Sequence, residues 1–180
     1  DGNKVRVASL NLPLEQVQGR LEYDNAQTRF KGLKARLWDQ PLTLDYHGRQ
    51  QPGVYKVDLD FKGNWDSARQ PKQIGDLAIL RGRSDWRGKL ALNLPGGKPF
   101  NFQLGLDSDL QGMALELPAP LNKAAGARQP LNVTVRGQSG VAEIHGALGT
   151  EVALQSSLVY GEASPYLSRL RLDVGGAGGR

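Results

Sequence analysis

Val54-Tyr55-Lys56-Val57-Asp58-Leu59-Asp60-Phe61-Lys62 alternates without a break, with Tyr55, Val57, Leu59 and Phe61 set against Lys56, Asp58, Asp60 and Lys62. Successive side chains of a strand point to opposite faces, so this spacing predicts a strand with one apolar and one wet face. Gln50-Gln51-Pro52-Gly53 just before it is a turn signal. The segment on the far side of that turn carries the same code, with Leu42, Leu44 and Tyr46 opposed to Thr43, Asp45 and His47.

The pattern continues in both directions. Toward the N-terminus, Val5, Val7, Leu10, Leu12 and Leu14 predict a first strand with a phase slip near Ala8. Val17, Leu21 and Tyr23, then Phe30, Leu33, Ala35 and Leu37, predict two more. Toward the C-terminus the apolar rows are Trp86, Leu90, Leu92 and Leu94, then Phe100, Phe102, Leu104 and Leu106, then Leu131, Val133 and Val135. Ala142, Ile144 and Leu148, then Val152, Leu154 and Leu158, then Leu170, Leu172 and Val174 complete the series. Short turns between one-faced strands mean an antiparallel meander. The expected class is therefore all-β with one short helix, as a single unit over 1–174 followed by a flexible glycine-rich tail over 175–180.

Two stretches break the rhythm. From Pro71 the residues Ile74, Leu77 and Leu80 fall three apart and Gly82 follows, which predicts a short helix over 71–81. From Leu104 to Pro130 the spacing predicts a strand, a turn, and a second strand carrying Met113, Leu115 and Leu117. Pro118 and Pro120 then end it, because proline cannot donate to a ladder. The Leu121–Gly126 segment that follows reads as a loop of small residues.

The composition narrows the function. A hydrophobic share of 39% and a mean hydropathy of -0.45 leave no run near the roughly 18 apolar residues of a spanning helix. Zero cysteines exclude disulfides and thiolate metal sites. The net charge of +5 would suit an anionic partner, but the charges are spread singly along strands, as on a solvated face.

No residue set has the pattern of an active site. His47 and His145 fall on polar phases far apart, with no second ligand at metal spacing. Asp58 with Asp60 and Asp107 with Asp109 each place two carboxylates on one strand face, and neither pair has a partner on another element. Ser139 lies in Gly137-Gln138-Ser139-Gly140, which lacks the spacing of a nucleophile elbow. The aromatic residues share rows with leucine instead of alternating with arginine, which argues against nucleic acid as a partner. The expectation is a protein that is not an enzyme and that uses no metal and no cofactor.

Ser84-Asp85-Trp86-Arg87-Gly88, Ser108-Asp109-Leu110-Gln111-Gly112, and Leu117-Pro118-Ala119-Pro120-Leu121-Asn122-Lys123 with Gly126 resemble the large bacterial envelope proteins of the AsmA-like, YhdP type, whose relatives include TamB. The resemblance runs from about Leu10 to Leu172. It implies a strongly curved open sheet, one segment of an elongated repeating β-groove, whose concave side carries phospholipid across the periplasm between inner and outer membranes. It also implies a longer protein anchored in the inner membrane, whose other parts would reach the two membranes. The partner in this segment would then be phospholipid acyl chains. Glycines inside strands, at Gly19, Gly88, Gly112, Gly137 and Gly146, are suitable devices for curvature.

On this reading the residues facing acyl chains are Leu21, Tyr23, Leu42, Leu44, Val57, Leu59, Leu90, Leu92, Phe102, Leu104, Leu115, Leu117, Val133 and Val135. Periodicity alone also admits a β-sandwich whose rows bury one another. Two further alternatives stand beside the groove. One is a carbohydrate- or protein-binding module built from the acidic pairs and Trp38, Trp65 and Trp86. The other is an envelope assembly factor without lipid transport.

Overall fold

The computed structural model describes residues 4–7, 12–24, 26–69, 79–119, 121–160 and 166–175. Twelve strands are present among them: β1 Lys4–Val7, β2 Leu12–Asp24, β3 Gln27–Leu37, β4 Gln40–Gln51, β5 Val54–Asp66, β6 Leu80–Pro95, β7 Asn101–Ser108, β8 Met113–Leu115, β9 Leu131–Gln138, β10 Val141–Leu148, β11 Val152–Val159 and β12 Tyr166–Val174. Eleven of them pair antiparallel in the order β1-β2-β3-β4-β5-β6-β7-β9-β10-β11-β12, and β8 leaves that path to pair with β6. The sheet does not close into a barrel.

The meander follows the sequence closely from β2 to β7. In β4 to β6, Tyr46 stands opposite Leu59 and Leu59 opposite Leu90, while Asp45 faces Asp60 and Asp60 faces Lys89. The apolar and polar phases therefore stay in register from strand to strand, because a one-residue slip would put every leucine of a strand in water. Two irregularities interrupt β2 and β3. Gln16 and Gly32 adopt positive φ, 52° and 63°, where the register shifts, and the Gly32 amide donates to the Asp45 carboxylate at 2.6 Å. Such bulges bend a strand and increase its twist.

The structure corrects three local expectations. Val5 and Leu14 do not share one strand but face each other in a β1–β2 hairpin, with Val7 opposite Leu12. The slip expected near Ala8 lies outside the described residues. Leu80 and Arg81, expected at the end of a helix over 71–81, begin β6, and residues 70–78 lie outside the described residues. Among the described residues the only helical turn is the 3-10 turn Ser67–Arg69. The glycine-rich tail beyond Gly175 also lies outside what is described.

The third correction concerns Leu104–Pro130. β7 does not form a hairpin with β8. It pairs instead with β9 over eight residue pairs, from Asn101 opposite Gln138 to Ser108 opposite Leu131. Only three residues remain for β8, and they bond to Leu80, Arg81 and Gly82. The turn chemistry explains the diversion. Leu110 and Gly112 have φ of 52° and 89°, and a Cβ on Gly112 would sit 2.4 Å from the Arg83 carbonyl oxygen, so only glycine lets the chain cross β6 here.

A second glycine sets the packing on the apolar face. A Cβ on Gly88 would lie 2.1 Å from the Phe61 ring, which rests flat over the bare backbone. Replacing Gly88 by valine is expected to displace that ring and cost about 1–3 kcal/mol, the usual penalty of overpacking. Denaturant unfolding measures this, and an unchanged midpoint would contradict the packing.

Candidate functional site

Because paired residues of adjacent strands share a face, the register sorts every strand residue onto one side or the other. One row runs Leu21, Phe30, Tyr46, Leu59, Leu90, Leu104, Val135, Ile144, Ser156 and Leu170 across ten strands. A flanking row contains Tyr23, Val57, Leu92 and Phe102, and another contains Leu33, Leu44, Phe61, Leu106 and Val133. The opposite face carries Lys34, Asp58, Asp60, Lys62, Lys89, Gln103, Arg136 and Glu143. The division is between one apolar and one polar face over almost the whole sheet.

No second layer of strands or helices covers the apolar face among the described residues. Each strand contacts its sheet neighbours, and β6 also meets β8 and the Ser67–Arg69 turn. The chain exposes 12128 Å², against about 8600 Å² for a compact monomer of its mass. Yet Leu33 and Leu44 are 6% exposed and Leu92 is 3% exposed. All three lie on the apolar face, where side chains of neighbouring strands shelter them.

In a meander, alternate turns lie on opposite margins. The turns at 38–39 and 149–151 and the insert 109–130 share one margin, and those at 52–53, 96–100 and 139–140 share the other. The insert folds over its margin as a strap. Leu110, Met113 and Leu115 are 0%, 1% and 7% exposed and pack on Trp86, Leu131 and Leu148 at the end of the apolar rows.

One lysine pins the strap. The Lys123 ammonium donates to the carbonyls of Leu110, Met113 and Ala124 at 2.7, 2.6 and 3.1 Å, and the residue is 6% exposed. Burial pushes its pKa below the ordinary lysine value, and the nearby Asp109 carboxylate works against that shift. Three carbonyl oxygens also favour the charged form. The sequence shows 121–126 only as a plain loop of small residues. The one signal there is a single cation among alanine, glycine and leucine.

The expected site residues separate cleanly. Tyr23, Leu42, Leu44, Val57, Leu59, Leu90, Leu92, Phe102, Leu104, Val133 and Val135 share the apolar face. Leu21 belongs to the same face by register, and its side chain lies outside the described ones. Leu115 and Leu117 do not join them. Leu115 is sealed inside the strap and Leu117 follows β8, because β8 leaves the main sheet.

A model of the family described as YhdP protein matches residues 1–179. The chain belongs to the YhdP family. It is 27% identical over 163 residues to the protein named intermembrane phospholipid transporter YhdP from Escherichia coli (strain K12). That alignment covers 89% of this chain and 13% of the relative, so the chain spans a small part of that protein's length. No solved structure matches the chain.

Within this YhdP-family segment the rival constellations come apart. Asp58 forms an ion pair with Arg49, and Asp60 lies 3.6 Å from Lys89, both on the polar face. Asp109 sits in the strap 3.7 Å from Arg128. Trp65 and Trp86 stack on each other at 6.3 Å, with Phe61 beyond Trp65. Gly63, the register partner of Trp86, shares its face with Phe61, so the ladder stands on the apolar side. Tryptophans and the Asp58–Asp60 pair are thus on opposite sides of one layer and cannot form one carbohydrate site. The His47 ring lies 3.0 Å from the Gln27 side chain. Among the described residues no group of three or more His, Asp or Glu is placed to hold a metal, and no helix is long and apolar enough to cross a membrane.

Proposed function

We propose that this chain is one segment of a periplasm-spanning bridge that conducts phospholipid between inner and outer membranes and so supports the outer-membrane barrier. The observation that carries the reading is the apolar face, which crosses the sheet strand after strand with no protein layer over it among the described residues; curved inward, it makes a trough. The acyl chains lie against Tyr23, Leu42, Leu44, Val57, Leu59, Leu90, Leu92, Phe102, Leu104, Val133 and Val135, with Leu21 continuing the same row. Anchoring in the inner membrane and contact with the two membranes belong to parts of the longer protein.

The physics requires no catalytic residue. Exposing a 16-carbon chain to water costs roughly 12 kcal/mol at about 0.8 kcal/mol per methylene, which is about nine orders of magnitude in rate. A trough that stays apolar from strand to strand removes most of this barrier. Ten inter-strand steps of about 4.8 Å make the path through this segment about 48 Å long. The polar outer face stays in water.

Native mass spectrometry of the purified chain tests the reading. Phospholipid is expected to co-purify, or to load from vesicles, and to dissociate on activation. A chain that stays empty in both preparations would leave the trough without its cargo and favour a purely structural or assembly role in the envelope.

A further inference from the structure

The two margins of the trough differ in chemistry. All three tryptophans stand at the strap margin: Trp38 in the β3–β4 turn, packed on the Leu33–Leu44 cluster, then Trp65, then Trp86 beneath the strap. Together with Leu110, Met113 and Leu115 they make a wall. The Trp65 indole N–H is buried there with no acceptor.

Tyrosines occupy the opposite margin. Tyr23 ends β2 and is 72% exposed, Tyr55 starts β5, and Tyr160 follows β11. Tyr46 reaches past Gly48, and its hydroxyl meets that of Tyr55 at 3.0 Å. Burial first, and then the hydrogen bond to Tyr55, push the Tyr46 pKa up, so its hydroxyl keeps its proton at physiological pH. The strand ends and turns at this margin hold Lys98 and also Asp24, and the strap margin carries both signs, with Asp66, Glu116 and Asp109 paired to Arg83, Arg81 and Arg128.

We propose that a phospholipid lies along the strands with its chain ends against the tryptophan wall and its ester and phosphate oxygens at the tyrosine margin, beside Lys98. This orientation rests on the lipid reading given above. Tyrosine combines an apolar ring with a hydrogen-bonding tip, which suits the boundary between acyl chain and headgroup. Lys98 supplies a cation for the phosphate there. The distance also fits. From Tyr55 to Gly63, the residue opposite Trp86, is about 27 Å at roughly 3.4 Å per residue, against about 15 Å for the hydrocarbon of one bilayer leaflet. An extended chain with its glycerol has room between the two margins.

The tryptophans are native reporters of this arrangement. The purified chain is loaded from phosphatidylcholine vesicles, once with bromines at the acyl terminus and once with a nitroxide on the choline, and tryptophan emission is read with bound lipid counted in parallel. Chain-end bromines are expected to quench severalfold more than the headgroup label, and Tyr46→Phe with Tyr55→Phe is expected to narrow that ratio. Equal or stronger quenching by the headgroup label overturns the orientation, as does bound lipid that neither label reports. Absence of bound lipid in every preparation strikes at the lipid reading itself, which separates the two failures.

Discussion

Leu104→Asp empties the trough while the sheet remains folded. Leu104 sits in the middle of the central apolar row, opposite Leu90 on one side and Val135 on the other, and is only half-buried. Half-burial matters, because a carboxylate there can reach water when no lipid is present. Once an acyl chain occupies the row, the carboxylate must either lose its hydration or hold the chain away. A penalty of about 3 kcal/mol, small for a desolvated carboxylate, already weakens loading by more than about 100-fold. Leu59→Asp, in the same row two strands away, is expected to act alike.

The control is one residue along the strand. Gln103 is exposed on the polar face, opposite Ala91 and Arg136, so Gln103→Asp adds the same charge to the same strand without entering the trough. Lipid bound per chain should fall for Leu104→Asp and stay unchanged for Gln103→Asp, with circular dichroism alike for both. Equal lipid occupancy in the two variants would mean that the acyl chains lie elsewhere. In cells that depend on this protein for lipid traffic, normal transport by Leu104→Asp would point the same way.

The face on which these residues lie is legible because period-two alternation is a local property. Val54–Lys62 shows it without any partner strand, and register then follows from keeping leucine beside leucine. The bare trough is less accessible. Alternation at Leu90 and Leu92 is identical whether a second sheet covers them or an acyl chain does, and only the resemblance through Ser84–Gly88, Ser108–Gly112 and Leu117–Gly126 distinguishes the two. The strap escapes a sequence reading for a different reason. Met113, Leu115 and Leu117 alternate as a strand should, and β8 is one, but its partner is set by competition for the edge of β7. β9 offers eight residue pairs to that edge, whereas β8 has only three residues in all. Nothing local to Met113–Leu115 records that competition. The segregation of tyrosine from tryptophan is in plain view, yet it acquires meaning only when the turns are assigned to margins, which requires the strand order.

The strap should loosen internally when Lys123 is replaced by methionine, a side chain of similar length without the charge. The variant removes the donor shared by the carbonyls of Leu110, Met113 and Ala124 in a site closed to solvent. Leaving buried acceptors unpaired costs about 1–3 kcal/mol each, and hydrogen bonds to a charged group lie at the upper end. A net loss of about 3–4 kcal/mol is expected, since the Leu110 carbonyl keeps the Met113 amide at 3.1 Å and the new methyl group gains some packing. Within the insert three backbone contacts remain, Gly112 to Ala125, the Leu115–Lys123 pair and Gln129 to Asp109, while β8 stays tied to β6 by its ladder, with the Arg83 amide on the Gly112 carbonyl and the Glu116 amide on the Ile79 carbonyl. The returning limb 121–129 therefore loosens from 109–116, whereas β8 keeps its ladder to β6 and β9 its ladders to β7 and β10. Amide exchange therefore separates the two regions. Protection at Gly112, Leu115 and Gln129 should fall by about two to three orders of magnitude, at roughly 1.4 kcal/mol per factor of ten, while β4, β5 and β6 change little. Trp86 should shift its emission to the red as the packing of Leu110 and Met113 on it loosens. Unchanged protection in the strap would show that Lys123 does not hold it, and loss of protection across the whole sheet would show that the strap is part of the fold's nucleus instead of a separate closure on one margin.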